Sequence, residues 1–238
     1  MFQTDPFLLI VLFVGLSLLP FVAMIATSYL KIVIVMSLIR NALGIQSIPP
    51  NMVINALAMI LTFYIMAPVM NESWTIAQRE LAKEPAAASA EVSAAGQAQD
   101  GAGGIAQKVL ATDAIVKAAE PFRKFLSDHT SARERAFFVS TAESLWGDEK
   151  KPAVVDPESF YILLPSFCVS ELTKAFQIGF LVYLPFIAID IIVSNILLAM
   201  GMMMVSPVTI SLPFKLLLFV MVNGWTLLIQ GLVRGYLL

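Results

Sequence analysis

The sequence predicts an all-α protein of the membrane type, and three observations support this prediction. Apolar residues make up 58% of the 238 residues and only 13% are charged, whereas a soluble domain carries roughly twice that charged fraction. The mean hydropathy is +0.82. The apolar residues are concentrated in long segments that helix start and stop signals separate. We therefore expect a protein embedded in a membrane or in a membrane-bound assembly.

The uneven distribution of charge divides the chain into three parts. Residues 71–160 hold ten of the fifteen basic residues and fourteen of the seventeen acidic ones. The flanking parts are apolar. The sequence thus predicts apolar helices over residues 1–70, a polar insert over residues 71–160 and a second set of apolar helices over residues 161–238.

The first part predicts one long helix followed by a shorter one. Asp5-Pro6 is a helix-start signal, and the helical pattern continues past a kink expected at Pro20 to a stop at Gly44. This segment is more than about 50 Å long, whereas a bilayer's hydrocarbon is roughly 30 Å thick. A simple perpendicular crossing does not account for it. The second helix is expected from Pro49-Pro50-Asn51 to about Met70.

The polar insert is mixed in character. Residues 85–104 are low-complexity Ala, Gly, Ser and Gln, which indicates a flexible linker or a frayed helix. Residues 105–126 have helical spacing, and a capping-box pattern at residues 131–134 precedes a second helix that stops at Gly147. These helices either pack their aromatic residues against a neighbouring protein or form a small helical cap with an ordinary core.

The last part begins with a helix start at Asp156-Pro157 and contains apolar segments from Gln177 to Ala199 and from Pro213 to Leu232. Near its end, Gly224, Gly231 and Gly235 are spaced to lie on one helix face. Such glycines let two helix backbones approach closely, so we expect them to serve helix packing and assembly. The alternative is that glycine is simply abundant in membrane helices.

Three ionisable groups in this part are candidates for a role. Glu171 and Lys174 are spaced as an i,i+3 pair. Asp190 lies inside an apolar segment, where an ionisable group is a functional candidate. It either takes part in transport or forms a structural ion pair with Lys215 across the following turn.

The sequence contains no motif of a known catalytic site, which favours a non-enzymatic protein. The single His129 and the single Cys168 exclude a clustered metal site and an intrachain disulfide. No cofactor and no nucleic-acid partner are expected. Two function classes remain: a proton- or solute-coupled transporter that uses Asp190, and a structural subunit of a larger conduit. Transporters usually have repeated halves, and the two apolar parts do not resemble each other.

Charge near the apolar segments predicts the orientation. Residues 31–50 carry Lys31 and Arg40 and no acid, which places them in the cytoplasm and the insert outside; Arg234 argues the other way. No signal peptide is expected, because no basic region precedes Phe7.

Motifs in both apolar parts point to one family. The first part contains KIVIV at 31–35, LIRNALG at 38–44, IPPN at 48–51 and FYIMAPV at 63–69. The last part contains ELTKAF at 171–176, QIGF at 177–180, LPF at 184–186, Ile189-Asp190, MGMMM at 200–204 and Ser206-Pro207. These motifs resemble the SctR/FliP family of type III secretion export-apparatus proteins. The IPPNM wording favours the virulence-associated injectisome branch over the flagellar branch.

The resemblance implies a core subunit of the export gate in the bacterial inner membrane. Several copies would assemble with the S and T subunits into a cone of long bent helical hairpins, which is multi-pass and extends towards the periplasm within the secretion basal body. Further implied partners are the autoprotease switch subunit, the large export-gate ring subunit and the secreted effector polypeptides in transit.

The resemblance also implies a role for the methionine turn, residues 200–206. In the family, the methionines that match Met202, Met203 and Met204 form a pore gasket, and Gly201 allows the turn. Methionine is unbranched and flexible, so a ring of methionines closes a pore without a unique fit. The alternative is that these methionines fill gaps in a core at a helix end.

Overall fold

The structure is a computed structural model that describes residues 6–45, 48–94, 116–147 and 155–237. The regular secondary structure of these residues is helical, which confirms the predicted all-α class. In chain order the helices are α1 (Pro6–Ile25), α2 (Tyr29–Ala42), α3 (Asn51–Ala94), α4 (Glu120–His129), α5 (Ala132–Trp146), α6 (Phe160–Ala199), α7 (Pro207–Met221) and α8 (Gly224–Arg234).

Several of these helices are long and apolar enough to cross a membrane. Among the described residues, two qualify alone: residues 51–80 of α3, and α6. The pairs α1–α2 and α7–α8 pass the same test as bent pairs, each with a bend of 59°. The described part of the chain therefore has two candidate spans, or up to four if each bent pair is one span.

The chain divides into two compact units, one of residues 1–65 with 164–238 and the other of residues 66–163. The core of the first unit surrounds α2. Buried α2 residues pack with buried residues of α3, α6, α7 and α8; the cluster includes Ile32, Val35, Met36, Ile39, Ala58, Ala175, Phe186, Phe219 and Leu232. Complete burial of one such aliphatic or aromatic side chain contributes about 1.5–3 kcal/mol. Helix α2 is thus the central element of this unit.

The first helix changes direction later than the sequence predicts. Pro20 lies inside α1, and the helix continues past it to Ile25. The break falls at residues 26–28, where the Thr27 hydroxyl donates to the Ala23 carbonyl at 2.7 Å and accepts the Tyr29 N–H at 3.4 Å. Such local side-chain hydrogen bonds compete with the helical ladder. The predicted stop at Gly44 is confirmed, since Gly44 has a φ of +76° just after α2.

The second helix of the sequence extends well beyond Met70, to Ala94. Its later residues are polar but are mostly good helix formers such as Glu, Gln, Arg, Lys and Ala, which sustain the helix without an apolar stripe. Residues 85–94 of the low-complexity stretch belong to this helix. The remainder of that stretch lies outside the described residues.

Helix α6 begins later than its predicted start and is longer than predicted. The Asp156 carboxylate accepts the Glu158 N–H at 3.0 Å, and the Asp156 carbonyl accepts the Ser159 N–H at 3.1 Å. These bonds form a turn, so the helix starts only at Phe160. It then continues for 40 residues through Pro165 and Pro185.

The predicted apolar segment from Pro213 to Leu232 is not one helix. It is split between α7 and α8, because Asn223 adopts the left-handed conformation with a φ of +52°. Asparagine is one of the few residues other than glycine that tolerates this conformation.

In the second unit, α4 and α5 differ in how they use their aromatic residues. Helix α4 begins at Glu120 with Pro121 in its first turn. Of the predicted helical stretch 105–126, residues 105–115 lie outside the described part. Phe125 is buried. Helix α5 begins and ends as predicted, but Phe137 and Trp146 are each 58% exposed. Because Ala142 is its one buried residue, α5 does not build an ordinary core.

Candidate functional site

The methionine turn joins α6 to α7 through a glycine-dependent helix ending. The Gly201 N–H donates to the Leu198 carbonyl and the Met202 N–H donates to the Leu197 carbonyl, both at 3.0 Å. This pair of bonds is the Schellman motif, which needs a left-handed residue after the helix. Gly201 supplies it with a φ of +73°. The turn is therefore a defined structure at the end of α6.

The methionine side chains of this turn point away from the protein. Met202 is 44% exposed, Met203 is 82% exposed and Met204 is fully exposed. They therefore do not fill gaps in the core of this chain. Ser206 is the N-cap residue of α7 and Pro207 its first residue, so the turn has an ordered structure on both sides.

Asp190 lies at the centre of a polar network that links three helices. One carboxylate oxygen is 2.6 Å from the Lys215 Nζ, and the other accepts a 2.6 Å hydrogen bond from the Ser211 hydroxyl. Lys215 also donates to the Ala42 carbonyl, the last of α2, at 3.3 Å. The Lys215 side chain is buried, whereas about a third of the Asp190 side chain is exposed. The structure thus brings the two predicted residues together and adds Ser211.

Glu171 is the other carboxylate of α6, and its side chain is fully buried. Its oxygens lie 3.1 Å from the Nζ atoms of both Lys31 and Lys174, and it accepts a hydrogen bond from the Tyr236 hydroxyl. The Lys31 ammonium also lies 3.5 Å from the centroid of the Tyr236 ring, a cation–π contact. Burial, and then the Glu171 carboxylate, raise the pKa of Tyr236, so its hydroxyl stays a donor.

Lys31 and Tyr236 were not predicted as partners of Glu171. Lys31 was expected to mark the cytoplasmic side, and Glu171 was paired with Lys174, which lies one turn away on the same helix. A usable signal was present, because an acid in an apolar segment needs a cation and Lys31 lies in the other apolar part. The pairing of Lys31 with Glu171 was not predicted because the two residues lie far apart along the chain.

The three glycines of the last segment have different surroundings. The Phe219 ring occupies the position that a Cβ on Gly224 would take. Gly231 has no atom within 4 Å of that position, and with Gly224 it lines an apolar cavity of about 400 Å³. Gly235 is the C-cap residue of α8, beyond the end of the helix. Its N–H donates to the Gly231 carbonyl at 3.0 Å, and the role of the three glycines in assembly stays a prediction.

Gly179, for which no role was predicted, also permits a close approach between helices. Gly179 of α6 is buried, and a Cβ placed there would overlap the side chain of Leu38 on α2. Helices α2 and α6 can therefore meet closely at this point. An isolated glycine inside an apolar helix, here within QIGF, is the sequence signal for such a contact.

Comparison with known proteins gives a family and several relatives. The model of the FliP family matches residues 12–232. The hypersensitivity response secretion protein HrcR of Ralstonia nicotianae is 46% identical over 96% of this chain and 96% of its own length. The Yop proteins translocation protein R of Yersinia pestis is 47% identical over 98% and 97%. The flagellar biosynthetic protein FliP of Pectobacterium carotovorum is 40% identical over 95% of this chain and 77% of its own length.

These matches confirm the assignment made from the motifs. The family match covers both apolar parts and the insert between them, and relatives from the virulence and the flagellar systems align along nearly the whole chain. Since a family match over more than nine-tenths of the chain agrees with several relatives above 40% identity, the chain belongs to the FliP family.

Proposed function

We propose that this chain is a core subunit of the type III secretion export gate. Several copies, together with the S and T subunits, would form the central channel through which unfolded effector proteins cross the bacterial inner envelope. The relatives named for secretion and translocation support this proposal. The observation that carries it is the methionine turn, where three consecutive methionines project from a glycine-dependent helix ending.

The chemistry of methionine suits a gate for varied polypeptides. Its side chain is flexible and polarisable, so several copies of the turn would pack into a seal and then rearrange around any passing side chain. A constriction of branched side chains would fit fewer shapes. We therefore assign Met202, Met203 and Met204 to the gasket and Gly201 to the turn that presents them.

The surface of the chain supports an assembled state. Large apolar side chains on several helices are more than half exposed, among them Phe13 on α1, Phe63 on α3 and Phe180 on α6. A soluble monomer rarely exposes so much contiguous apolar surface. Lipid and sister subunits would cover it in a multi-pass inner-membrane protein that extends towards the periplasm.

The proposed partners follow from this placement. Besides the S and T subunits, they are the autoprotease switch subunit, the large export-gate ring subunit and the effector polypeptides in transit. The polar insert, residues 71–160, would lie on the periplasmic side. The exposed aromatic residues of α5 would meet a neighbouring subunit there. No step of this function requires catalysis by the chain itself.

Replacement of the three turn methionines by alanine tests the gasket. The substitution shortens every side chain around the ring, so cells that make the complete complex should leak ions and small dyes while the amount of complex is largely kept. Three leucines keep the bulk but lose flexibility, so they should seal and slow secretion. Assembly is measured on native gels and permeability on the same cells.

The matched control changes equally exposed methionines elsewhere. Met52 on α3 and Met221 at the far end of α7 are 81% and 74% exposed. Their replacement by alanine should leave permeability at the parental level. An assembled triple-alanine complex that does not leak would contradict the gasket. Loss of assembly before any leak would support a packing role instead.

The network around Asp190 does not favour the transporter alternative. Its carboxylate is already paired with Lys215 and Ser211, as expected of a structural group. We therefore expect no proton or solute flux through the isolated subunit in liposomes. A flux that Asp190→Asn abolishes would support the transporter and oppose the conduit.

A further inference from the structure

We propose that Asp190, Ser211 and Lys215 form a positioning clamp that fixes the methionine turn along the axis of α6 and α7. Because the inference concerns how the turn is held, it rests on the proposed function of that turn as a gasket. The clamp is defined by two bonds to Asp190, one from each of the other residues, both of 2.6 Å. None of the three residues would touch the polypeptide in transit.

The clamp fixes the register of the two arms of the turn. Ser211 and Lys215 lie one helical turn apart on α7, and each donates to a different oxygen of Asp190 on α6. Sliding α7 along α6 by one residue, about 1.5 Å, would strain both bonds at once. Asp190 lies nine residues before the end of α6 at Ala199, roughly 14 Å from the turn. The position of the clamp therefore determines how far the methionines project.

The clamp is also tied to the core of its unit. The second contact of Lys215 is the Ala42 carbonyl, and Ala42 ends helix α2. A lysine at a helix C-terminus satisfies a free carbonyl and interacts favourably with the helix dipole. The contact with α2 thus fixes the position of the turn relative to the core of the unit. The bonds between α6 and α7 alone would fix only these two helices relative to each other.

The arms are less tightly packed between the clamp and the turn. An apolar groove of about 380 Å³, open at the surface, lies between α6 and α7 there, lined by Ile192, Ile196, Ile210 and Phe214 among others. These four side chains are 40–59% exposed, so they are not close-packed within the chain and have room to move. The clamp thus fixes the helices, while the side chains nearer the turn can move. A seal needs this combination if it must open around a substrate and return to one position.

The test measures the position of the turn within the assembled complex. A Met203→Cys reporter in a Cys168→Ser background is joined between neighbouring copies by a short thiol-reactive crosslinker. The yield is expressed per assembled complex on native gels. Ser211→Ala and Lys215→Met should lower this yield by about tenfold, the equilibrium shift that loss of one hydrogen bond to a charged group can produce. Ser211→Thr keeps the hydroxyl and should restore the yield.

The second α6 carboxylate provides a matched control. Lys31 is as buried as Lys215 and pairs with Glu171, which lies 19 residues before Asp190 on the same helix. Lys31→Met makes the same chemical change away from the turn. It should reduce the amount of complex and leave the crosslinking yield per complex unchanged, whereas a merely structural role of the clamp would make the two lysine variants alike.

The outcomes separate this inference from the proposed function. An unchanged yield in Ser211→Ala and Lys215→Met, or an equal fall in Lys31→Met, would overturn the clamp while leaving the gasket intact. A triple-alanine complex that stays sealed would overturn the gasket but leave the crosslinking result standing. If Met203→Cys gives no crosslink in the parent complex, the turns do not meet, and both ideas fail.

Discussion

Removal of the positive charge beside Glu171 should be among the most destabilising single changes in this protein. The side chain of Lys31 is 4% exposed and that of Glu171 is fully buried. Lys31→Met keeps most of the volume but leaves the carboxylate without its buried cation. Breaking one side of a buried ion pair costs about 3–5 kcal/mol. For a chain of this size that corresponds to a fall in Tm of roughly 6–20 °C.

The other two donors to Glu171 provide a graded series. Tyr236→Phe removes one hydrogen bond to a charged group, which costs about 1.5–3 kcal/mol. The Lys174 side chain is 40% exposed, so Lys174→Gln should cost no more than about 1 kcal/mol. The expected order of destabilisation is therefore Lys31→Met first, Tyr236→Phe second and Lys174→Gln last. Thermal unfolding of the purified chain in detergent, followed by tryptophan fluorescence, measures this order.

A double variant shows whether the cost comes from the unpaired charge. Lys31→Met combined with Glu171→Met removes both charges, and replacing a buried pair by apolar residues is often close to neutral. The double variant should therefore be more stable than Lys31→Met alone. The reasoning is refuted if the double variant is as unstable as the single one, or if Lys174→Gln is as costly as Lys31→Met.

Three further predictions concern backbone positions. Gly179→Ala places a Cβ against Leu38 and should destabilise the isolated chain by about 1–3 kcal/mol, whereas Gly231→Ala meets open space and should be neutral or stabilising by up to about 1 kcal/mol. Gly201→Ala forces an L side chain to a φ of +73° and should cost about 1–2 kcal/mol, with the asparagine substitution less costly. Asn223→Gly, at a φ of +52°, should keep or raise the Tm. Thermal unfolding in detergent checks all three; equal effects at Gly179 and Gly231, a harmless Gly201→Ala or a lower Tm for Asn223→Gly would contradict them.

The sequence predicted the helices where local chemistry determines them. Gly44 ends α2 and Gly147 follows α5, because a stop signal acts within one turn of the backbone. The continuation of α3 past Met70 and the start of α6 at Phe160 were missed. In both places the backbone N–H groups of polar residues can bond either within a helix or within a turn, and the boundary depends on which of the two is more stable. Residue type alone does not decide this.

The candidate site was predictable to different degrees. The pairing of Asp190 with Lys215 was one of two alternatives, because both residues flank a short turn in apolar surroundings. The link between Lys31 and Glu171 was not predicted, since it depends on α2 being enclosed by helices from the other end of the chain. The close approach at Gly179 was not predicted for a similar reason. Spacing places glycines on a face, but only the neighbouring helix decides whether that face is approached closely.

The pairing of Lys31 with Glu171 has a consequence for how the chain is made. Residues 6–70 contain no acid, and Glu171 is synthesised about 140 residues after Lys31. At a synthesis rate of about 5–20 residues per second, Glu171 is made roughly 7–28 s after Lys31. Placing a lysine inside hydrocarbon costs about 2.5–3.5 kcal/mol. Helix α2 should therefore remain near the membrane surface until α6 has been synthesised. In a Cys168→Ser chain with one cysteine introduced into α2, nascent chains that end before residue 171 would then leave that cysteine open to a water-soluble thiol reagent, and chains that extend beyond Tyr236 would protect it.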